Sequence, residues 1–427
     1  MNIYIETYGC SNNIAESQIM AGLLTRSGFS VINDIENADI IIVNTCSVKS
    51  TTEQKILYRI KHLREKYPKK KMIITGCMPE SEYDIVKSFV PNASFVGTHH
   101  ITYIAKAVKS EMENKHIELL GKIKKEKLCL PKIRENNAID IVPISSGCSS
   151  YCSYCSTKLA KGDLFSYSGE KIIEEIKIAK SDGCKEFWLT SQDCGCYGLD
   201  KNTNITELLK NIIKNVSGKY FLRIGMMNPQ NIMKFIPELI DVFKDEHVFK
   251  FIHLPVQSGS DKILKLMNRG YTINDFKHII NEFRKEIPEI TLWTDIIVGF
   301  PSEDEEDFNK SVELIKEIKP DFVNISTFGP RPGTKAAKMK QILTNIKKER
   351  TRILTKIVDK ISLEKNKKWV GWKGEVIIDE YKKERKNFIA RNFAYKPIVL
   401  HGNFKIGDFV NAKIISASKT YLVGEVY

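Results

Sequence analysis

The sequence predicts an α/β protein in three parts: an amino-terminal α/β domain on a parallel sheet, a central partial (β/α)6 barrel, and a small carboxy-terminal β-barrel. Three observations carry this. Residues 1–112 alternate short apolar runs with helical stretches, a longer series of the same kind begins at residue 139, and from residue 366 short β-rich runs are cut by glycines and charges. At 427 residues the chain is too long for one ordinary core, so several domains are expected.

In the first part, IYIETY, ADIIIVNT and KKMIITG read as strands. ESQIMAGLLTRSG, TEQKILYRIKHLREKY and ESEYDIVKSFV between and after them have helical spacing, so the order is βαβαβα. Residues 113–138 are charged and weakly periodic and read as a linker. Candidate strands of the second part, residues 139–365, are AIDIVPI, KEFWLT, YFLRIG, VFKFIHLPV, ITLWTDIIVGF and DFVNISTF, an arc more open than an eight-unit closed barrel. Ile346, Ile353, Ile357 and Ile361, with Leu354 and Val358, then mark one long helix packed on that barrel. Residues 366–427 hold GEVIIDEY, NFIARNF, KPIVL, FVNAKIISAS and TYLVGEVY, enough for a small β-barrel.

The composition is that of a globular protein without membrane spans, and the first residues, MNIYIETYGC, are too polar for a signal peptide. The cytoplasm is the expected compartment. There ten cysteines point to metal binding, catalysis or burial rather than a disulfide framework. The formal charge of +14 is concentrated: residues 335–396 carry 19 Lys or Arg against 7 Asp or Glu. A polyanion is the natural partner, and Lys367, Lys368, Lys373, Lys382, Lys383, Arg385 and Arg391 are the candidate phosphate contacts.

Cys10, Cys46 and Cys77 each stand just beyond the carboxyl end of a predicted strand of one parallel sheet, where ligand crevices of open α/β sheets lie. Three thiols in that register should share a metal or cluster site. GCSSYCSYC places Cys148, Cys152 and Cys155 in the loop after the first barrel strand, the catalytic face of β/α barrels. Structural zinc wants four ligands, and no fourth cysteine or histidine stands near this frame. Three thiolates on a four-iron cluster instead leave one iron open, able to bind the amino and carboxylate groups of S-adenosylmethionine. Cys129, Cys184, Cys194 and Cys196 lack a strand-end frame and read as burial or chance.

CxxxCxxC with an aromatic before the last cysteine, here Tyr154, resembles the signature of the radical S-adenosylmethionine superfamily. More narrowly, the blocks ETYGCSNNIAES, VNTCSV, ITGCMPE, LPVQSGSDKILKLMNRGYT and DIIVGFPSEDEEDF, in that order along the chain, resemble the methylthiotransferases, whose terminal β-module is called TRAM. The resemblance implies two 4Fe-4S clusters. Cys148, Cys152 and Cys155 would hold the one that cleaves S-adenosylmethionine, and Cys10, Cys46 and Cys77 the auxiliary one that delivers sulfur. It also places Tyr154 near the adenine and makes Gln192 and Asp193 candidates for the methionyl group, while the predicted strand positions direct Arg223 on the third strand and Gln257 and Ser258 after the fourth to the same face. Gly299 would permit close backbone approach to the adenine.

Family members act on threonylcarbamoyladenosine in tRNA, on isopentenyladenosine in tRNA, or on an aspartate of a ribosomal protein. STKLAKGDLFSY after Cys155 resembles the TK-ARG-L-SY run of the archaeal and eukaryotic threonylcarbamoyladenosine branch more than the VPYTRG-type run of the isopentenyladenosine branch. Lys161 departs from that pattern, keeping the charge of arginine without its planar fork. The expected partners are tRNA, an external electron donor and a sulfur donor, with no membrane. A monomer is the default, since nothing in the sequence fixes an oligomeric state. The competing reading is a non-catalytic iron–sulfur protein that binds RNA, and it differs in predicting no cleavage of S-adenosylmethionine.

Overall fold

Six parallel strands form the amino-terminal sheet of the computed structural model, which describes the backbone of residues 1–427 and every side chain except that of Ser50. Their spatial order is Ser30–Ile32, Asn2–Thr7, Ile40–Thr45, Lys71–Gly76, Ser94–Gly97 and Glu118–Leu119. Ile40–Thr45 is buried throughout, as the continuous apolar run Ile40 to Val43 requires of a strand covered on both faces. Helix Ser11–Arg26 covers one face through Ile19, Met20 and Leu24, and helix Ser50–Lys66 covers the other through Ile56, Ile60 and Leu63. The three strands expected from the pattern all form. The other three run only two to four residues, too short for a period-two signal to stand out.

Residues 113–138, expected as a linker, do more than connect. They add the edge strand Glu118–Leu119, bury Lys127 and Lys132, and bring the Pro131 carbonyl against Gly22, where a Cβ would lie 2.2 Å from its oxygen. This strap holds the first domain to the second. Helix Ser11–Arg26 also packs on the first barrel strand, with Ala15 meeting Ala138, Ile139 and Ile141.

The barrel arc consists of Ile139–Pro143, Glu186–Thr190 and Phe221–Ile224, paired in parallel, followed by Phe251–His253, Thr291–Val298 and Phe322–Thr327. A bridge between Leu222 and Val248 joins the two halves. Alternation along Thr291–Val298 turns Leu292, Ile296 and Val298 into the layer beneath the outer helices. The helices Ile273–Glu286 and Glu305–Ile318 begin with capping boxes at Thr272 and Asp304, which fix where the chain turns back.

The expected long helix spans Thr344–Lys367 and lies on the last barrel strand through Leu354, Val358 and Ile361. Ile353, expected on that stripe, is 40% exposed. The terminal module is a closed barrel of Lys373–Lys382, Asn387–Arg391, Pro397–Leu400, Leu422–Val426 and Phe409–Ala417. It plugs the amino-terminal end of the arc: Phe249 and Phe251 pack with Ile377 and Tyr395, Lys250 N–H donates to the Phe393 carbonyl, and Lys396 Nζ lies 2.7 Å from Asp321 Oδ1. The Cys148 loop is therefore at the far end of the arc from the basic module.

Candidate iron–sulfur active site

The amino-terminal triad is assembled by sheet register. Thr45 pairs with Gly76, so Cys46 and Cys77 leave adjacent strands side by side, and Cys77 N–H donates to the Thr45 carbonyl at 3.0 Å. Cys10 joins them because Gly9 (φ +108°) turns the chain where no side chain would fit, since a Cβ there would lie 2.6 Å from Cys46 Sγ. Asn13 Nδ2 ties the two loops together, donating to the Tyr8 and Thr45 carbonyls. Burial pushes the Cys46 thiol up to about 11 and the Cys77 thiol up to about 12.

The second triad hangs on an equally constrained loop. Gly147 (φ +76°) runs so close to Asp163 that a Cβ would sit 2.0 Å from its carbonyl oxygen, and Gly147 N–H donates to Gln192 Oε1 at 2.7 Å. Ser153 anchors the loop from N–H to the Met267 carbonyl and from Oγ to the Leu266 carbonyl. This brings Arg269 alongside. Its guanidinium is buried, donating to the Pro255 carbonyl at 3.0 Å and to Cys152 Sγ at 3.5 Å. Burial pushes the Cys155 thiol up to about 11.

A cavity of about 410 Å³ lies between the triads, lined by Cys10 on one side and by Cys148, Cys152 and Cys155 on the other. The domains meet across it: Ser156 Oγ donates to the Ser47 carbonyl, and Lys161 Nζ reaches Glu16 Oε1 at 2.8 Å. A recess of about 350 Å³ adjoins, lined by Tyr154, Gln257, Asp295, Phe328 and Arg331. Neither triad is a single-ion site. Among the described residues, the one set of three donors within 4.8 Å of one another is Cys148, Asp193 and Cys196. Three thiols brought to one place by adjoining strand ends, without crowding onto a point, suit a cluster whose irons take one thiolate each. Two buried acceptors on the cavity wall, Asn228 Oδ1 and Asp295 Oδ1, have no protein partner and suit the ammonium and hydroxyl donors of S-adenosylmethionine.

The cofactor candidates divide. Tyr154, Gln192, Asp193 and Gln257 line the cavity or its recess. Asp193 is fully engaged, accepting from Gly195 N–H, Asn228 N–H and Asn231 Nδ2, and burial raises its carboxyl. Gln257 keeps a left-handed backbone (φ +71°), with its N–H on the Asp295 carbonyl. Ser258 does not reach the cavity, because it is fully buried and accepts from Ser260 N–H.

Arg223 also fails to reach it. Its register partner is Trp188, low in the arc, and its guanidinium sits among the Trp188, Phe251 and Tyr395 rings near the terminal module. Gly299 (φ +75°) makes room for the long helix, since a Cβ would lie 2.5 Å from Lys347 Cγ, and it lines neither the cavity nor its recess. Of the basic candidates, Lys367, Lys368, Lys373, Lys382, Lys383 and Arg385 are exposed. Arg391 is not: it pairs with Asp379 at 2.8 Å and stacks on Tyr395, inside the domain junction.

Local pattern left several residues unmarked. Glu16 is buried and held by both Lys127 and Lys161, which come from different segments. His253 Nε2 pairs with Asp295 Oδ2 at 3.1 Å on the cavity wall. Cys196, expected to be inert, places its thiol beside Cys148, while Cys194 and Cys184 are core residues as expected. Only the CGC spacing hinted at the first of these.

Family profiles match in the same three parts: the uncharacterized protein family UPF0004 over residues 2–97, the radical SAM superfamily over 142–315, and the TRAM domain over 367–427. The chain is 45% identical to a probable threonylcarbamoyladenosine tRNA methylthiotransferase of Pyrococcus horikoshii, covering 100% of this chain and 99% of that one. It is 34% identical to the threonylcarbamoyladenosine tRNA methylthiotransferase of Homo sapiens, over 99% of this chain and 73% of that one. Among solved structures, the radical S-adenosylmethionine methyltransferase TsrM of Kitasatospora setae, with cobalamin and a [4Fe-4S] cluster bound, superimposes with a TM-score of 0.59 at 12% identity. That match covers 79% of this chain and 73% of TsrM, and it bears on the fold alone.

Proposed function

The chain belongs to the threonylcarbamoyladenosine tRNA methylthiotransferases, and from that membership we propose that it converts N6-threonylcarbamoyladenosine beside the anticodon of tRNA to its 2-methylthio derivative. The observation that carries this reading is the cavity between the two triads, lined by Cys148, Cys152 and Cys155 of one and by Cys10 of the other, while Cys46 and Cys77 are buried. Cys148, Cys152 and Cys155 would hold one 4Fe-4S cluster and Cys10, Cys46 and Cys77 the other. The first would supply the electron for cleavage of S-adenosylmethionine and the second the sulfur, with the 5′-deoxyadenosyl fragment taking the C2 hydrogen that the new C2–S bond replaces.

The chain's own residues prepare that exchange. Arg269 sets a buried positive charge against Cys152, offsetting the charge of a thiolate there. Tyr154, packed edge-on to Phe300, and the strained Gln257 shape the recess for the adenosyl part. The His253–Asp295 pair fixes the wall facing the substrate base.

The TRAM module and its exposed Lys382, Lys383 and Arg385 would grip tRNA backbone away from the cavity. External electron and sulfur donors complete the reaction. Among the described residues no helix is long and apolar enough to cross a membrane, which is consistent with action in the cytoplasm. The test is to incubate the reduced, reconstituted enzyme with tRNA that has or lacks the threonylcarbamoyl group and to digest the product to nucleosides. A 2-methylthio product only with the modified tRNA is expected. Turnover of both, or only of isopentenylated tRNA, would assign another branch, and absence of 5′-deoxyadenosine under every condition would leave an RNA-binding iron–sulfur protein.

A further inference from the structure

Threonylcarbamoyladenosine differs from the other nucleoside substrates of this chemistry in carrying a carboxylate, and we propose that Lys158 binds it at the cavity rim. The inference rests on the function proposed above. Four basic side chains line the cavity: Lys158, Lys161, His253 and Arg269. Three are committed to buried partners. Lys161 is held by Glu16 at 2.8 Å, with both side chains at most 2% exposed. His253 pairs with Asp295, and Arg269 donates to the Pro255 carbonyl and Cys152.

Lys158 is placed differently. Its Nζ donates to the Cys148 carbonyl at 2.5 Å and to Asp163 Oδ1 at 2.8 Å, and that carboxylate is 73% exposed. An ion pair with so open a partner contributes little, so exchanging it for a substrate carboxylate costs little. Tyr151, itself 62% exposed, lies under the ammonium at 3.9 Å and donates its phenol to the same Asp163 oxygen, which keeps the side chain at the rim. The Cys148 carbonyl fixes how far Nζ stands from the first cluster thiol, so binding there would set the depth to which the base enters.

The experiment uses the full, reconstituted enzyme and two anticodon stem-loops, one with threonylcarbamoyladenosine and one with the threonine carboxylate replaced by a carboxamide. KM and kcat for RNA are measured beside iron content and the KM for S-adenosylmethionine. The wild type is expected to favour the acid by about tenfold or more in KM, the range of a charge-assisted hydrogen bond. Lys158→Gln should raise the acid's KM to that of the carboxamide, and Lys158→Arg should restore part of the preference. Asp163→Asn, which frees the ammonium and keeps its anchor on the Cys148 carbonyl, should lower the acid's KM alone. An undiminished acid preference in Lys158→Gln, or a rise in the KM for S-adenosylmethionine in place of RNA, overturns the assignment. So does equal use of both stem-loops by the wild type. Failure of the wild type on any threonylcarbamoylated RNA would instead remove the proposed function itself.

Discussion

Lys161 stands where the resembled run has arginine, and its ammonium fits a site with room for one point charge between Glu16 and Thr98. Burial raises the Glu16 carboxyl, but Lys127 and Lys161 outweigh it and hold the group down at about 2. One carboxylate serves two ammonium groups unequally. Burial lowers Lys127, while Lys161 is held up against its own burial by Glu16 and the Cys77 thiol. Lys161→Met should therefore destabilise the fold by about 3 kcal/mol at neutral pH in urea unfolding, because it strips a buried charge of a partner. Glu82 is the opposite case. Both its oxygens are buried without partners, and burial alone pushes its carboxyl up to about 7. The unfolded chain releases this proton near 4.5 and the folded chain near 7, so Glu82 removes stability as pH rises between those values. Glu82→Gln should raise the melting temperature at pH 7.5 and leave it nearly unchanged at pH 4.5, as read by scanning calorimetry.

The two cysteine loops make separable contributions because they belong to different sheets. Replacing Cys148, Cys152 and Cys155 by alanine should leave about one four-iron cluster per chain by iron analysis and abolish 5′-deoxyadenosine formation. Replacing Cys10, Cys46 and Cys77 should also leave about one cluster but keep that cleavage, losing only methylthio transfer. Methylthiolated product from the second variant would mean that the amino-terminal loops do not supply sulfur. These loops were legible because each cysteine directly follows an apolar run whose strand type and direction the βα order dictates. The short strands Ser30–Ile32, Ser94–Gly97 and Glu118–Leu119 were not, since two to four residues cannot display a period. Helix Thr344–Lys367 was legible from its spacing, although its exposed Ile353 marks how far a stripe read from sequence can be wider than the buried one.

Across the whole molecule, the basic module and the cavity lie at opposite ends of the arc, so under the proposed function a tRNA gripped by the module would have to span the protein to be modified. Cutting the chain near Asn366 would be a poor test of this. Asn366 is buried and bonded to Ser418 and Lys396, and the cut would bare Phe249 and Phe251. Charge reversal of Lys382, Lys383 and Arg385 on the exposed turn is cleaner. It should weaken tRNA binding and flatten its salt dependence by up to about three units of the log–log slope, while leaving cleavage of S-adenosylmethionine without tRNA intact. Filter binding across a salt series measures the first and nucleoside analysis the second; an unchanged slope would place the tRNA elsewhere.

By itself the sequence determined the three-part order, both cysteine triads and the basic surplus of the terminal module. Each of these is written locally, in a period, a strand end or a run of charge. Tertiary structure alone decided which neighbours those residues meet. Arg223 was placed on the right strand but at the wrong height, Gly299 makes room for the long helix, and Arg391 closes a domain junction. Glu16 and Lys161 lie 145 positions apart and come together only because two domains pack around one cavity. No local pattern records such a pairing: alternation and spacing state which way a side chain points, while the partner it finds depends on how separate sheets are pressed together.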